Sequence, residues 1–116
     1  MSQFNITARK ASASVTIASG QTVSTALSVA GMDLVAVLIP SVFTGTTITF
    51  QGSIDGSTFS ALYNHDGTAY SLTNVAASRL IQFTANDFIG MNYIKLVSNS
   101  SEGADRTIIC SLRAIA

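Results

Sequence analysis

The stretch that decides the fold is ITFQGSIDGSTF, residues 48–59. Ile48, Phe50 and Ile54 alternate with polar or small residues, which is the period of a β-strand with one face in a core. Asp55-Gly56 then supplies the backbone freedom of a tight turn. Beyond the turn the alternation resumes, with inward positions at Phe59, Ala61 and Tyr63. The stretch predicts a β-hairpin with strands over 46–54 and 58–63.

Similar strand patterns recur along the whole chain. They cover residues 12–17, 22–29, 34–39, 69–73, 79–83, 93–98 and 106–115. In 22–29 the inward positions are predicted to be Val23, Thr25, Leu27 and Val29. Residues 84–90 predict one helical turn, with Phe88 closing the end of the core. Residues 99–105 form the most polar and flexible-looking loop.

Short strands separated by Gly-rich turns are typical of sandwiches and barrels. The prediction is an all-β fold, a jelly-roll-like antiparallel β-sandwich of about eight strands with no long helix. An immunoglobulin-type sandwich is the alternative. We expect an N-terminal arm over residues 1–11 and a single β-sandwich domain over residues 12–116.

The composition favours association with other subunits. Only 10% of residues are charged, against roughly 25% in an average soluble domain. The chain instead has 16 Ser and 13 Thr, a quarter of its 116 residues. A surface of hydroxyl groups costs less to desolvate than a charged one. This favours a subunit of an assembly over the alternative, a solvated monomer of low charge.

Charge and hydropathy argue against nucleic-acid and membrane partners. Six basic and six acidic residues give a formal net charge of zero, and no basic patch is interleaved with aromatic residues. The longest strictly apolar run, residues 34–39, is far shorter than the ~20 residues of a membrane span. Residues 1–10 have no apolar segment typical of a secretory signal peptide.

The sequence offers little for catalysis or metal binding. The single histidine, His65, lies beside Asp66 in a turn-like segment, where adjacent side chains point apart. Cys110 alternates with apolar residues, which predicts a buried thiol, and a free Cys fits a reducing cytoplasm. A calcium site would need acidic turn residues to meet at one edge, and the candidates are Asp55, Asp66 and Asp87. We expect no enzymatic activity, no cofactor and no metal.

Basic residues are the candidates for contacts between subunits. Arg9 and Lys10 lie in the predicted arm, while Arg79, Arg106 and Arg113 lie near the ends of predicted strands. An arginine that holds a neighbouring subunit's carboxylate in a bidentate pair contributes more than an exposed ion pair does. These five residues are the predicted interface.

Glycan binding is a possible alternative function. Sandwich proteins bind sugars with aromatic rings and amides, and the usable residues are Tyr63, Tyr70, Tyr93, Asn64 and Asn92. Packing at the core margin explains the tyrosines equally well.

The order of elements over residues 33–114 resembles the small virion proteins encoded in the head modules of tailed bacteriophages. The elements that carry the likeness are VAVLIP (35–40), ITFQ (48–51), SIDGSTF (53–59), LY (62–63), GTAY (67–70), FIG (88–90), YIKL (93–96) and RTIICSLR (106–113). The resemblance implies a capsid decoration or cement protein, commonly trimeric, that bridges major capsid protein subunits on the capsid exterior. It also implies synthesis in the cytoplasm of the host bacterium. The alternatives are a glycan-binding module of a tail or head spike and a head–tail adaptor.

Overall fold

The structure, a computed structural model, describes residues 10–83, 88 and 90–114. This part of the chain contains nine β-strands and no helix. The strands are β1 (Lys10–Ile17), β2 (Leu27–Ser28), β3 (Met32–Leu38), β4 (Ile48–Ser53), β5 (Ser60–Ala61), β6 (Ser71–Leu72), β7 (Leu80–Gln82), β8 (Tyr93–Ser98) and β9 (Arg106–Ala114). β1 begins two residues before the predicted domain start, and residues 1–9 of the predicted arm lie outside the described residues.

The strands form two antiparallel sheets. Sheet A has the order β1-β9-β3-β7, and sheet B has the order β2-β8-β4-β5, with β6 also pairing with β4. Strands β4, β5 and β6 follow one another within sheet B, and all other consecutive strands lie in different sheets. The connections between them therefore cross from one sheet to the other, as in a jelly roll. The predicted all-β sandwich is therefore confirmed. β3 is an inner strand of sheet A. Its residues 34–38 belong to the longest strictly apolar run of the chain, a pattern typical of a strand that is covered on both faces.

The predicted central hairpin is confirmed in its turn and its pairing. β4 pairs with β5 through Gln51 opposite Ala61. In the turn, Asp55 Oδ1 accepts hydrogen bonds from the amides of Ser57 (2.8 Å) and Thr58 (2.9 Å). The bonds from Thr58, Ser57 and the Ser53 hydroxyl lower the pKa of Asp55. Gly56 has a φ of 84°, a left-handed conformation that glycine adopts without steric cost.

The predicted inward positions around this hairpin are partly wrong. Ile54 is 73% exposed, because β4 ends at Ser53 and the turn carries the next residue out of the sheet. Beyond the turn, Leu62 packs against the core and Tyr63 is 60% exposed. On the return strand the observed alternation is therefore shifted by one residue from the predicted one, which places each side chain on the opposite face.

The predicted inward positions before β2 are also partly wrong. Val23 and Thr25 are exposed, and Ser24 is buried. The Ser24 hydroxyl is bonded on both sides, since it donates to Thr25 O (2.7 Å) and accepts from Leu96 N (2.9 Å). These bonds make burial of this serine acceptable, because a buried polar group with partners avoids most of its desolvation cost. Leu27 and Val29 are buried as predicted.

The core lies between the two sheets and is centred on aromatic rings. The Phe50 ring lies 5.5 Å from Tyr70, 5.7 Å from Phe83 and 5.2 Å from Phe88, measured between centroids. Phe88 is fully buried, as its predicted role required; residues 84–87 and 89 of the predicted turn lie outside the described residues. Aliphatic side chains complete the core: Val15, Ile17, Leu27, Val29, Leu34, Val37, Ile39, Ile48, Val75, Ile94, Leu96, Ile108 and Leu112.

Candidate functional site

The most distinctive surface feature is a row of exposed aliphatic side chains on sheet A. Leu38 of β3 lies opposite Ile109 of β9 on one side and opposite Leu80 of β7 on the other. Directly paired residues project from the same face of a sheet. The exposed fractions are 37% for Leu38, 48% for Ile109 and 65% for Leu80. We call these three residues the apolar row.

The positions beside the apolar row carry hydroxyl and small groups. Ser14 of β1 lies opposite Ile109. On one side of the row Thr16 lies opposite Thr107, with their hydroxyl oxygens 3.3 Å apart. On the other side, the register aligns four uncharged residues across the strands, namely Ser12, Ser111, Ala36 and Gln82. These positions and the apolar row together are the outer face. The positions named here carry no charge, so a partner can cover them without removing water from an ion. Arg113, two residues after Ser111 on β9 and opposite Lys10, lies on the same face at its end.

A shallow groove continues from the apolar row at the end of β3. Its volume is about 380 Å³, and its lining is Leu38, Ile39, Pro40, Ser41, Ser78, Thr107 and Ile109. Val42, which follows the lining residue Ser41 in the chain, is 59% exposed. An exposed apolar surface bordered by polar residues is typical of a protein–protein contact site.

The outer face of sheet B is different, because the chain itself covers part of it. The Lys95 ammonium of β8 lies 4.3 Å from the centroid of the Phe59 ring. A Cβ atom added to Gly56 would lie 3.0 Å from the Tyr93 ring, so the β4–β5 turn approaches this side chain closely. The hairpin turn therefore covers part of the outer surface of sheet B, whereas Leu38, Ile109 and Leu80 of sheet A are exposed.

The predicted interface residues do not form one cluster. Lys10 and Arg113 are opposite each other where β1 and β9 pair, and Arg113 Nη2 lies 3.5 Å from Oδ2 of the fully buried Asp33. The side chain of Lys10 and all of Arg9 lie outside the described residues. Arg79 precedes β7 and donates from Nη1 to Asn74 O at 2.7 Å. The described arginines thus lie at separate positions around sheet A.

Arg106 makes an ion pair inside the chain. Its Nε lies 3.1 Å from Oε1 of Glu102, whose side chain is fully buried. The same carboxylate accepts from the amides of Thr44 (3.0 and 2.9 Å) and Gly45 (3.1 Å). Burial alone would raise the pKa of Glu102, but the bonds from Thr44, Arg106 and Gly45 together outweigh it and hold the pKa below its usual value.

The sequence does not indicate this buried carboxylate, because the composition of residues 99–105 predicts a polar and flexible loop. The structure bonds this loop to two other segments. Gly20 N donates to Glu102 O at 2.9 Å, and Thr46 N donates to Asn99 Oδ1 at 3.0 Å. The isolated Glu among Ser, Gly and Ala was the available signal, but no local pattern indicated its partners.

The residues proposed for glycan binding do not form one platform. Tyr70 packs against Phe50 and Phe88 on the inner side of sheet B. Tyr93 lies opposite Ser53 and projects on the other side of the same sheet. Asn64 is occupied within its own turn, where its amide nitrogen donates to the Thr68 hydroxyl.

The remaining candidate groups offer no assembled chemistry. His65 is exposed in a turn, and the neighbouring Asp66 accepts from the Thr68 hydroxyl and amide, which lowers the pKa of Asp66. Cys110 is buried as predicted, and burial raises its pKa to about 12. Among residues 10–83, 88 and 90–114, no group of three His, Cys, Asp or Glu side chains is placed to hold a metal ion. In the same residues no helix is long and apolar enough to cross a bilayer.

A second cleft, of about 420 Å³, lies beside the β4–β5 hairpin. Its lining is small and largely apolar: Gly52, Ile54, Asp55, Thr58, Ser60, Ala61, Leu62 and Met91. Asp55 is the only charged group there, and its Oδ1 atom is already bonded by the turn amides. The cleft therefore presents no set of converging polar groups that would orient a ligand.

Comparisons with known proteins support the fold. A scan against protein-family models and a search of curated proteins find no match. Among solved structures, the chain is similar to the crystal structure of the SPBc2 prophage-derived protein YomS. The TM-score is 0.53 and the sequence identity is 16%, over 89% of this chain and 93% of that one. At this identity the likeness concerns the arrangement of strands alone.

Proposed function

We propose that this chain is a structural protein of a bacteriophage virion, and specifically a capsid decoration (cement) protein. It would oligomerise and stabilise the phage head by bridging major capsid protein subunits on the capsid exterior. The observation that carries the proposal is the outer face of sheet A, where the exposed apolar row lies among hydroxyl and small side chains. The prophage origin of YomS and the resemblance to head-module virion proteins favour a phage setting.

This surface is compatible with binding to a capsid shell that presents many equivalent sites. Each copy has only a moderate apolar area to bury, so a single contact with the shell is weak. A shell presents many equivalent sites, and an oligomer that contacts several of them gains affinity by multivalency. A formal net charge of zero also gives the protein no long-range attraction to packaged DNA.

The first prediction concerns the shell. Adding the purified protein to capsids that lack it should raise their melting temperature, because each bridge must be broken before neighbouring subunits separate. The measurement is differential scanning calorimetry of capsids with and without the protein. Failure to bind, or binding with an unchanged melting temperature, would contradict the cement role.

The second prediction concerns the apolar row. Substituting Leu38→Ser together with Leu80→Ser should weaken binding to capsids roughly 30-fold, since the apolar surface removed is worth about 2 kcal/mol when buried. Both side chains are exposed, so the free energy of unfolding should change little. Binding is measured by co-sedimentation with capsids.

The matched control for this variant is Val23→Ser. Val23 is as exposed as Leu38, at 37% each, but it bridges to Val97 of sheet B. Its substitution should leave binding unchanged. Equal losses from both variants would show that sheet A is not the contact face. Binding to a glycan array that falls in Tyr93→Ala would instead favour the spike module, and a ring of higher order would favour the head–tail adaptor.

A further inference from the structure

The edge of sheet A at β1 has the properties of an unfilled pairing site. β1 has eight residues, all paired with β9 on its other side without a shift of register. The other edge strands are much shorter, with three residues in β7 and two each in β2 and β5. Proteins usually protect long edges with charges, prolines or bulges. The charged residue of β1 is Lys10, at the start of the strand, and its other seven residues include no charge and no proline.

Hydrogen bonds at Thr16 identify the backbone groups that face this edge. Thr16 O accepts from Thr25 N at 3.0 Å, and Thr16 N donates to Thr25 Oγ1 at 3.1 Å. Both backbone groups of Thr16 therefore point away from β9. Orientation alternates along a strand, so the backbone groups of Ser14, Ser12 and Lys10 point the same way. Within the described residues, no strand pairs with these three positions on that side.

We propose that β1 pairs with β1 of a second copy, antiparallel, about a two-fold axis at Ser12. In this register residue 10 lies opposite 14, residue 12 opposite 12, and residue 14 opposite 10. Only residues of the same parity as Thr16 direct their backbone groups toward this edge, and this register uses all three positions. It also stops before Thr16, whose groups Thr25 already occupies.

The residues along this edge allow β1 to pair with the same strand of a second copy. Across the pair Ser12 lies opposite Ser12, Ala11 opposite Ala13 and Lys10 opposite Ser14, so no two like charges and no two bulky side chains are paired directly. The two copies of Lys10 would be separated by four residues along the strands, about 14 Å, which is beyond the screening length of about 8 Å at physiological ionic strength. The chain's formal net charge of zero adds no repulsion between copies.

Pairing at β1 also has a consequence for the outer face. A two-fold axis perpendicular to the sheet keeps the outer faces of both copies on the same side. Each sheet A of four strands is about 19 Å wide, so the pair presents a continuous surface about 38 Å across. This pairing rests on the homo-oligomer of the proposed function and makes that oligomer a dimer, whereas the resemblance implies a trimer.

The test is disulfide cross-linking of two single-cysteine additions to the full chain. Ser12→Cys should form a covalent dimer under mild oxidation, because residues opposite each other at a hydrogen-bonded pair have Cα atoms about 5.5 Å apart, within the range of a disulfide. Ser14→Cys is the matched control, since its two copies would be about 14 Å apart. The unsubstituted chain should not cross-link, because Cys110 is buried.

The outcomes separate the possibilities. Near-complete cross-linking of Ser12→Cys, little of Ser14→Cys, and a mass of twice 12.1 kDa for the unsubstituted protein would support the pairing. A monomer, a trimer, or equal cross-linking of both variants would overturn it, provided circular dichroism shows that both variants are folded. A monomer that still stabilises capsids would leave the virion role standing, whereas a cross-linked dimer that does not bind capsids would overturn the virion role alone.

Discussion

Replacing Phe50 by alanine is expected to lower the free energy of unfolding by about 4 kcal/mol. Phe50 is 1% exposed, and its ring contacts those of Tyr70, Phe83 and Phe88. The substitution removes apolar surface from the centre of the core and leaves a cavity between rings held by both sheets. The loss is a large part of the 5–15 kcal/mol, roughly, that stabilises a typical domain.

Denaturant unfolding followed by circular dichroism measures this loss, and the melting temperature should fall by about 15 °C. Phe59→Ala provides the control, because Phe59 lies in the turn over Lys95 and outside the core cluster. Its loss should be no more than about 1 kcal/mol. If Phe59→Ala lowered the free energy of unfolding as much as Phe50→Ala, Phe50 would not be the centre of the core.

Replacing Glu102 by alanine is expected to lower the free energy of unfolding by about 3 kcal/mol. The carboxylate is fully buried and bonds Arg106 and the amides of Thr44 and Gly45. Alanine leaves these donors without an acceptor in a site that water does not reach freely. Unpaired buried groups of this kind cost more than the original bonds contribute.

The variant Glu102→Gln shows how much of the loss in the free energy of unfolding comes from the negative charge and how much from the shape of the side chain. Glutamine retains one acceptor oxygen, so the loss should be smaller than for alanine. Asp105→Ala is the control, because Asp105 is exposed and accepts a hydrogen bond from Ser19 N at 2.8 Å. Its effect on unfolding should be far smaller than that of Glu102→Ala. If Asp105→Ala were as damaging as Glu102→Ala, the loss would come from the loop as a whole and not from the buried pair.

The contribution of Glu102 to the free energy of unfolding should also depend on pH. Its pKa in the folded state lies below the usual value, so the ionised form is favoured in the folded protein. The stabilisation is therefore fully present above the unfolded pKa of about 4.3 and is lost as the pH falls through the lower folded pKa. The difference between the unsubstituted protein and Glu102→Gln should narrow below about pH 4. A difference that stayed constant down to pH 2 would show that charge is not involved.

The arrangement of the outer face and the β1 edge links the two proposals. The apolar row crosses β9, β3 and β7, whereas the free edge lies at β1 on the opposite side of the sheet from β7. A second copy at β1 would therefore leave both apolar rows uncovered and available to the shell. Self-association and capsid binding would then use different surfaces of sheet A.

Much of the fold could be predicted from the sequence because the signals are local. Alternation of apolar and polar residues located β1, β4, β8 and β9, a continuous apolar run located β3, and Asp55-Gly56 located the hairpin turn. The alternation did not reveal which face is inward after a turn. The alternation predicts that Ile54 and Tyr63 face inward, but both are exposed, since one residue gained or lost in a turn reverses the face of every later side chain.

The sequence by itself determined that this chain is made of strands, that it carries hydroxyls in place of charges, and that Cys110 is buried. Only the tertiary structure decided that Leu38, Ile109 and Leu80 form one row, and that Glu102 lies among the amides of residues 44 and 45. The physical reason is distance along the chain. Periodicity reports which side of its own strand a residue occupies, whereas a row or a buried carboxylate depends on register and packing between segments tens of residues apart.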